Sequence, residues 1–344
     1  MVGDLTKRQQ AIATAVVAEH IRTAQPVGSE TVCGLRQLEC SSATIRNEMV
    51  LLERWGYLDQ PHTSAGRVPL SPAYRLHVNE LHTAGGRLDR DITWIQGELR
   101  RVAGRPEIAL RLGSAILSRI TRYPAIVVSP RSGGARLIDL SLTPVSARNI
   151  LLSWLDDRGN TEETLIETRS AIRADRVAEV EAALRDALIG ESPGAPIEVG
   201  VEDGAARELL DGVRDALDEA GSGRVYVEGT PHILDQPEFE DLSRLRRVIG
   251  TLSRSPVLRR LLATAAGAAD AAIDVAAGAG IGDEHGVEPL RDCSVVAAPY
   301  LTEDRRAGTV GVLGPMRMDY ALALEMVGTL ARALGQALSR AEET

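Results

Sequence analysis

Apolar residues recur with helical spacing along most of the first eighty positions. Ile12, Ala13, Val16, Val17 and Ile21 form one stripe, and Thr6 and Gln9 stand ahead of it with the spacing of a capping box. This helix is expected to end near Ala24-Gln25-Pro26, because proline disfavours helical backbone in the residue before it. Ser29 is the natural N-cap of a short second helix carrying Val32 and Leu35, followed by a turn at Glu39-Cys40. Ser42 then caps a third helix, Ala43 to Trp55. Its Ile45, Met49 and Leu52 face inward, Thr44, Asn47 and Glu48 point elsewhere, and Arg46 lies on the flank. Gly56 closes it. Tyr57 to Gln60 and Arg67 to Leu70 read as short strands around His62-Thr63-Ser64-Ala65-Gly66, and Ser71-Pro72 opens a helix buried through Tyr74, Val78 and Leu81.

Gly85-Gly86 breaks this pattern and marks a first domain boundary. Beyond it, Ile92, Ile95, Leu99 and Val102 have a heptad-like spacing, and a helix after Pro106 carries Ile108, Leu112 and Ala115; both are candidates to connect or pair subunits. The period then changes to two. Ala125 to Val128, Arg136 to Leu142, Ile150 to Leu155 and Thr164 to Glu167 read as strands. Helices return with Val177, Val180 and Leu184, then with Leu209, Leu210 and Val213. A strand at Arg224 to Val227 precedes a helix bearing Phe239, Leu242, Leu245 and Ile249. The Ala/Gly-rich run Ala263 to Gly282 reads either as a helix end and loop, the simpler case, or as a hinge. Strands at Ser294 to Val296 and Gly308 to Leu313 precede a long final helix with Leu322, Met326, Leu330 and Leu334. Strand, helix, strand order predicts a sheet domain interrupted by an insertion.

Composition narrows the class. With 44% hydrophobic and 25% charged residues over 344 positions, the chain is an ordinary globular one, long enough for three domains, and no apolar stretch is long enough to cross a bilayer. The start lacks a basic segment followed by an apolar one, so a cytoplasmic location is expected. Cys33, Cys40 and Cys293 form no close-spaced ligand set, which argues against a zinc site; no metal and no cofactor is expected. The net charge of −9 argues against nucleic acid until its distribution is considered. Residues 1–80 hold eight basic and eight acidic side chains, so the whole excess of acid lies beyond them.

A recognition helix needs a first turn of short polar and cationic side chains that reach phosphates and base edges. Ser41, Ser42, Thr44, Arg46 and Asn47 supply one, with Arg46 suited to guanine and Asn47 to adenine. The helix's first amides can hold a phosphate without any cation. Arg67, beside Gly66 and near His62, is placed to reach a phosphate or minor groove, and Lys7 and Arg8 to reach the flanking backbone. Each residue alone has a plain structural explanation. Three helices, a capped polar helix start and a Gly-Arg hairpin together specify a winged helix-turn-helix over Thr6 to Leu81, and with it a DNA-binding dimer. Enzymatic chemistry finds no support: there is no Walker A loop, nucleophile elbow or HExxH, and Gly278-Ala279-Gly280-Ile281-Gly282 is not a dinucleotide fingerprint. His232 and His285 read as loop or packing residues, and Arg317 and Asp319 as ties from a turn to the final helix.

Several motifs carry a wider resemblance. These are Pro26-Val27-Gly28-Ser29, Ser41 to Met49, Leu52-Glu53, Gly56-Tyr57-Leu58, Gln60 to Pro69, Pro237-Glu238-Phe239, Asp292 to Val296 with Pro299-Tyr300, and Gly314 to Tyr320. Together they resemble the heat-inducible transcription repressors of the HrcA family along nearly the whole chain. Glu284-His285 departs from the Glu-Asn usual there. The resemblance implies an α+β protein with a winged helix-turn-helix head at 1–84, a GAF-like α/β domain at 89–165 and 256–344, and an inserted α+β dimerisation domain at 166–255. It implies a homodimer on an inverted-repeat CIRCE operator ahead of chaperone genes. The GroE chaperonin would maintain its activity, which heat stress removes. It also implies that Thr63 and Ser64 of the hairpin tip join His62 and Arg67 at the DNA. A small-molecule effector in the GAF-like domain is the rival reading, though no cluster of ligand-binding residues indicates one.

Overall fold

The computed structural model describes residues 5–342 except 35–39, 63–64, 85–88, 103, 131–134, 160, 202, 268–276 and 303–304. The hairpin-tip residues Thr63 and Ser64, the Gly85-Gly86 boundary and the centre of the Ala/Gly run therefore lie outside the described residues. The protein mixes helix and sheet, and it divides into two compact units. One comprises residues 1–127 with 225–344, and the other residues 128–224.

The first unit begins with α1 (Lys7–Thr23), α2 (Ser29–Gly34) and α3 (Ser42–Arg54), then the antiparallel pair β1 (Leu58–Asp59) and β2 (Val68–Pro69), then α4 (Ser71–Ala84). Thr6 and Gln9 make the expected capping box, each side chain bonding the other's backbone N–H. The stripe Ile12, Ala13, Val16 and Val17 is buried and shares one core with Val32, Ile45, Met49, Leu52, Tyr74 and Val78.

Two caps fall one residue from their expected places. Ser41, not Ser42, is the N-cap of α3, accepting from the Thr44 N–H at 3.2 Å. Ser29 is the first residue of α2 rather than its cap; it is buried, and its hydroxyl meets that of Ser42 at 3.1 Å. Both shifts have one cause. The inward serine of each helix start is taken up joining α2 to α3, which leaves the preceding residue to satisfy the α3 amides.

α5 (Asp89–Arg100) and α6 (Pro106–Thr121) follow. α6 buries Leu110, Gly113, Ile116 and Leu117, while Ile108 and Ala115 are exposed. Gly113 leaves room for Leu330 and Leu334, which approach to 3.3 and 3.2 Å of the position its Cβ would take. These leucines belong to α11 (Tyr320–Glu342), which packs on α6.

The remaining strands are β3 (Ala125–Val128), β7 (Val225–Glu228), β8 (Gly278–Ile281), β9 (Cys293–Thr302) and β10 (Arg305–Pro315), joined in the order β7-β3-β10-β9-β8. Cys293 to Tyr300 are all buried, because α11 packs against β9 and α10 (Ser255–Gly267) packs against it as well. A strand covered on both faces carries apolar side chains without alternation. α9 (Leu242–Leu252) begins after a 3₁₀ turn that holds Phe239, and its Leu242 and Ile249 are exposed. The Ala/Gly run is helical as far as Gly267 and a strand again from Gly278.

The second unit holds the antiparallel sheet β4 (Leu137–Pro144), β5 (Asn149–Asp156) and β6 (Thr161–Glu167), with α7 (Ala174–Leu188) and α8 (Gly204–Ser222). Leu140, Leu152, Trp154 and Ile166 share a core with Val177, Leu184, Leu209 and Val213. The second compact unit thus includes β4, β5 and β6, which bury their apolar sides on α7 and α8.

α4 joins the amino-terminal helices to the larger sheet. The Arg75 guanidinium forms a bidentate ion pair with Glu284 and donates to the Ala279 carbonyl at 2.6 Å. Glu284 also accepts from the Ile281 N–H at 2.9 Å, so one carboxylate is held by both partners. Beside it, the Tyr74 ring packs on Tyr320, whose hydroxyl meets Ser294 and the Met316 carbonyl, each at 2.7 Å. Gly282, at φ +56°, lets the Ser71 hydroxyl and the Arg291 carbonyl come within 2.6 and 3.2 Å of where a Cβ would stand.

His285 is buried in this region. Its Nδ1 accepts from the Val287 N–H at 3.3 Å, leaving Nε2 to donate to the Cys293 carbonyl at 3.4 Å. Burial pushes the imidazole below its ordinary value of 6.5, and does the same to His77 on α4. Both therefore take up protons more readily in the unfolded chain, so their contribution to stability is present above pH 6.5 and is lost as pH falls below it. Thermal unfolding followed by circular dichroism should show the midpoint falling through this range, and His285→Asn should flatten the fall. An unchanged slope in that variant would contradict the assignment.

Gly66 generates a second expectation. A Cβ there would sit 2.4 Å from the Val27 carbonyl carbon and oxygen, where Val27 and Arg67 exchange backbone hydrogen bonds of 2.9 and 2.8 Å. Backbone cannot yield as a side chain tip can, so Gly66→Ala should cost about 2 kcal/mol. Hydrogen exchange at the Val27 and Arg67 amides should accelerate with it, and unchanged protection would contradict this account.

Candidate nucleic-acid interface

α3 carries its polar residues on one side for a simple reason of period. Ile45, Met49 and Leu52 are buried, which turns Ala43, Arg46, Asn47 and Arg54 outward with Val50 half-buried between them. Positions three, four and seven apart lie on one helical face, so these five make a single stripe starting at the capped end. Among the described residues, Arg46 and Asn47 have no hydrogen-bond or ion-pair partner in the fold. Ser41 and Thr44 hydroxyls meet at 2.9 Å at the head of the stripe. The amides of Ser42 and Ala43, in the first turn, have no acceptor within the helix. Of the sequence-predicted residues, Ser41, Thr44, Arg46 and Asn47 are brought together here. Ser42 is half-buried and engaged with Ser29.

Glu48 departs from its expected outward position. It is buried, accepts from Gln9 Nε2 at 3.0 Å and pairs with Arg8 at 3.2 Å. Its carboxylate ties the start of α1 to the middle of α3, and that tie carries Lys7 and Arg8 alongside the stripe. Lys7 is exposed, and Arg8 keeps more than half of its side chain in solvent while paired.

Arg67, expected at a phosphate, has a side chain only 13% exposed that reaches Glu53 at 2.9 Å, and its Nε is buried without an acceptor among the described residues. This ion pair fastens the hairpin to α3. His62 is exposed in the turn, where its carbonyl accepts from Ala65 at 2.8 Å, and Gln60 closes the loop by donating to the Ala65 carbonyl at 3.0 Å. Thr63 and Ser64 lie outside the described residues.

Sequence reasoning missed Val50 and Arg54, which the period of three and four extends from Arg46 and could have found. It also missed the clasp of Arg75 and Glu284, which no local signal links across 209 positions. Arg317 does more than tie a turn: it pairs with Glu238 and meets Gln236 at 3.3 Å, while Asp319 caps α11 by accepting from the Leu322 N–H at 3.0 Å. Two separate sequence motifs, Pro237-Glu238-Phe239 and Gly314 to Tyr320, thus meet in one ion pair. Among the described residues no group of His, Cys, Asp and Glu has the arrangement of a metal site, and no helix is long and apolar enough to cross a membrane. Burial pushes the Cys293 thiol up to about 12.

Comparison with known proteins places this arrangement. The family described as "HrcA protein C terminal domain" matches residues 107–323. A heat-inducible transcription repressor HrcA of Pelotomaculum thermopropionicum is 32% identical over 98% of this chain and 97% of its own length. The protein of the same name from Moorella thermoacetica is also 32% identical, over 98% of each chain. A crystal structure described as that of a hypothetical protein shares the fold, with a TM-score of 0.60 and 24% identity over 98% of each chain. Proteins so named are regulators rather than enzymes, and with a family match over more than half its length this chain belongs to the HrcA family of heat-inducible transcription repressors.

Proposed function

We propose that the protein represses transcription as a homodimer bound to an inverted-repeat operator of the CIRCE type. Residues 1–84 act as a winged helix-turn-helix, with β1 and β2 as the wing and α3 in the major groove. The observation that carries this reading is the outward stripe on α3, where Arg46 and Asn47 stand unpaired behind a capped helix start. Arg46 reads guanine and Asn47 adenine, and Ser41, Thr44 and the first amides hold the adjoining phosphate. Lys7, Arg8 and the hairpin tip with His62, Thr63 and Ser64 hold the flanking backbone. Arg67 acts through Glu53, by fixing the angle of the hairpin.

The sheet of the first unit, with α6, α10 and α11, corresponds to the GAF-like domain. The unit at 128–224 corresponds to the dimerisation domain. In support, Ile138 and Leu165 are more than half exposed, and Leu165 stands opposite the half-buried Leu151, on the side of the sheet away from Ile150, Leu152 and Ile166. Exposed apolar surface of this kind marks association. Loss of activity on heating follows if the active fold is only marginally stable, with the GroE chaperonin returning unfolded chains to it.

Fluorescence anisotropy against an inverted-repeat CIRCE duplex and a scrambled duplex, at one fixed salt concentration, tests the central claim, and equal affinities would sink it. Arg46→Ala should cost about 1 to 3 kcal/mol on the operator and much less on the scrambled duplex. Arg67→Ala should weaken both hairpin order and operator binding, which separates positioning from direct contact. Leu165→Glu should shift the protein from dimer to monomer in analytical ultracentrifugation; a dimer of unchanged stability would move the interface elsewhere.

A further inference from the structure

From Leu242 to Ala269 the chain contains six arginines, Arg244, Arg246, Arg247, Arg254, Arg259 and Arg260, and no lysine, aspartate or glutamate. This is the reverse of the whole chain, in which acidic residues outnumber basic ones by nine. The six lie on α9, on the turn after it and on the first half of α10. Arg246, Arg247, Arg254 and Arg260 are exposed, and none of these four has an ion-pair partner among the described residues. Arg244 is held at 3.7 Å from Asp292. The nearest acid in sequence, Asp241, is engaged at the start of α9, accepting from the Ser243 N–H at 2.7 Å.

Unpaired cations of one sign, crowded on adjoining helices, repel one another, and a polyanion relieves that repulsion. The position of the patch indicates which polyanion. Ser71, where the β1–β2 hairpin runs into α4, closes on Gly282 beside the Arg291 carbonyl, and the next residue, Asp292, holds Arg244. Through Asp292 and Arg291, the α9 end of this run is linked to the start of α4, within the same compact unit. Guanidinium forks suit phosphate oxygens, and exposed arginines of this kind read charge rather than sequence.

We propose that the arginine face of α9 and α10 is a second DNA-contacting surface, which binds the phosphate backbone of the duplex flanking the operator. It rests on the reading of the protein as a DNA-binding repressor. The exposed Leu242 and Ile249 of α9 are seven positions apart and lie with the half-buried Leu245 on one side of the helix, next to Arg246.

The test compares the full-length protein with the variant R246Q/R247Q/R254Q/R260Q on two duplexes: the operator alone, and the operator extended by about one and a half helical turns on each side. Affinity is measured over a series of salt concentrations. The wild type should bind the extended duplex more tightly. The variant should lose that gain, keep its affinity for the short operator, and show a salt slope on the long duplex reduced by about 0.9 for each phosphate contact removed. The matching lysine variant, which keeps the charge, should retain most of the gain and guards against a folding artefact. A gain that survives the glutamine variant, or no gain in the wild type, overturns the proposal. So does a change in self-association, or in binding to acidic proteins, with the salt slope unaltered. An arginine-dependent gain on extended scrambled DNA, without preference for the inverted repeat, would keep this surface and remove the operator reading.

Discussion

The first unit is organised around one guanidinium. Arg75 leaves α4 and ends between the Glu284 carboxylate and the Ala279 carbonyl, where a planar, always-charged fork satisfies both in one geometry. Charge-assisted, bidentate pairs fix orientation as well as distance. Because α4 follows directly on the β1–β2 hairpin, the angle of Arg75 sets the attitude of everything before it. Tyr74 against Tyr320 and Ser71 against Gly282 close the same junction on its apolar and backbone sides. The helices that carry the candidate interface are thus packed on the sheet and not merely tethered to it, so a disturbance of the sheet reaches the interface through contact.

A second layer of acid–base pairs works inside the amino-terminal helices. Glu48 takes Gln9 and Arg8, and Glu53 takes Arg67. Both carboxylates lie on α3, Glu48 among its buried residues and Glu53 at the edge of the polar stripe, seven positions from Arg46. α3 therefore has three functions by face. Ile45, Met49 and Leu52 hold it in the core, Glu48 and Glu53 fix α1 and the hairpin to its flanks, and Arg46 and Asn47 remain available. Glu19, Glu48 and Glu53 are held in ion pairs with Arg22, Arg8 and Arg67, while Arg46 and Arg54 stand on the outward stripe.

The same logic separates the two units chemically. In the first, the sheet is covered by helices on both faces, and β9 is buried without alternation from Cys293 to Tyr300. In the second, the three-stranded sheet is covered on one face only, so its strands alternate and apolar side chains such as Leu165 stand in solvent. A domain can afford an uncovered apolar sheet face when another surface meets it, and that is the physical basis for assigning association to this unit.

Helix and strand identity over most of the chain was legible from period alone, as were the Thr6 capping box and the Asp319 cap, because these depend on neighbours within four residues. The stripe from Ser41 to Asn47 was legible for the same reason. Three kinds of feature were not. Burial of Glu48 and the inward turn of Arg67 depend on which charged groups the fold brings opposite them. The burial of Gly113 depends on Leu330 and Leu334 meeting it, and the make-up of the second unit depends on β4, β5 and β6 packing on α7 and α8. The sequence by itself determined the elements and the chemistry available at their surfaces. Only the tertiary structure decided which charges are consumed in internal pairs and which remain for a partner, because a pair such as Arg75 and Glu284 is created by contact across 209 positions and by nothing local to either residue.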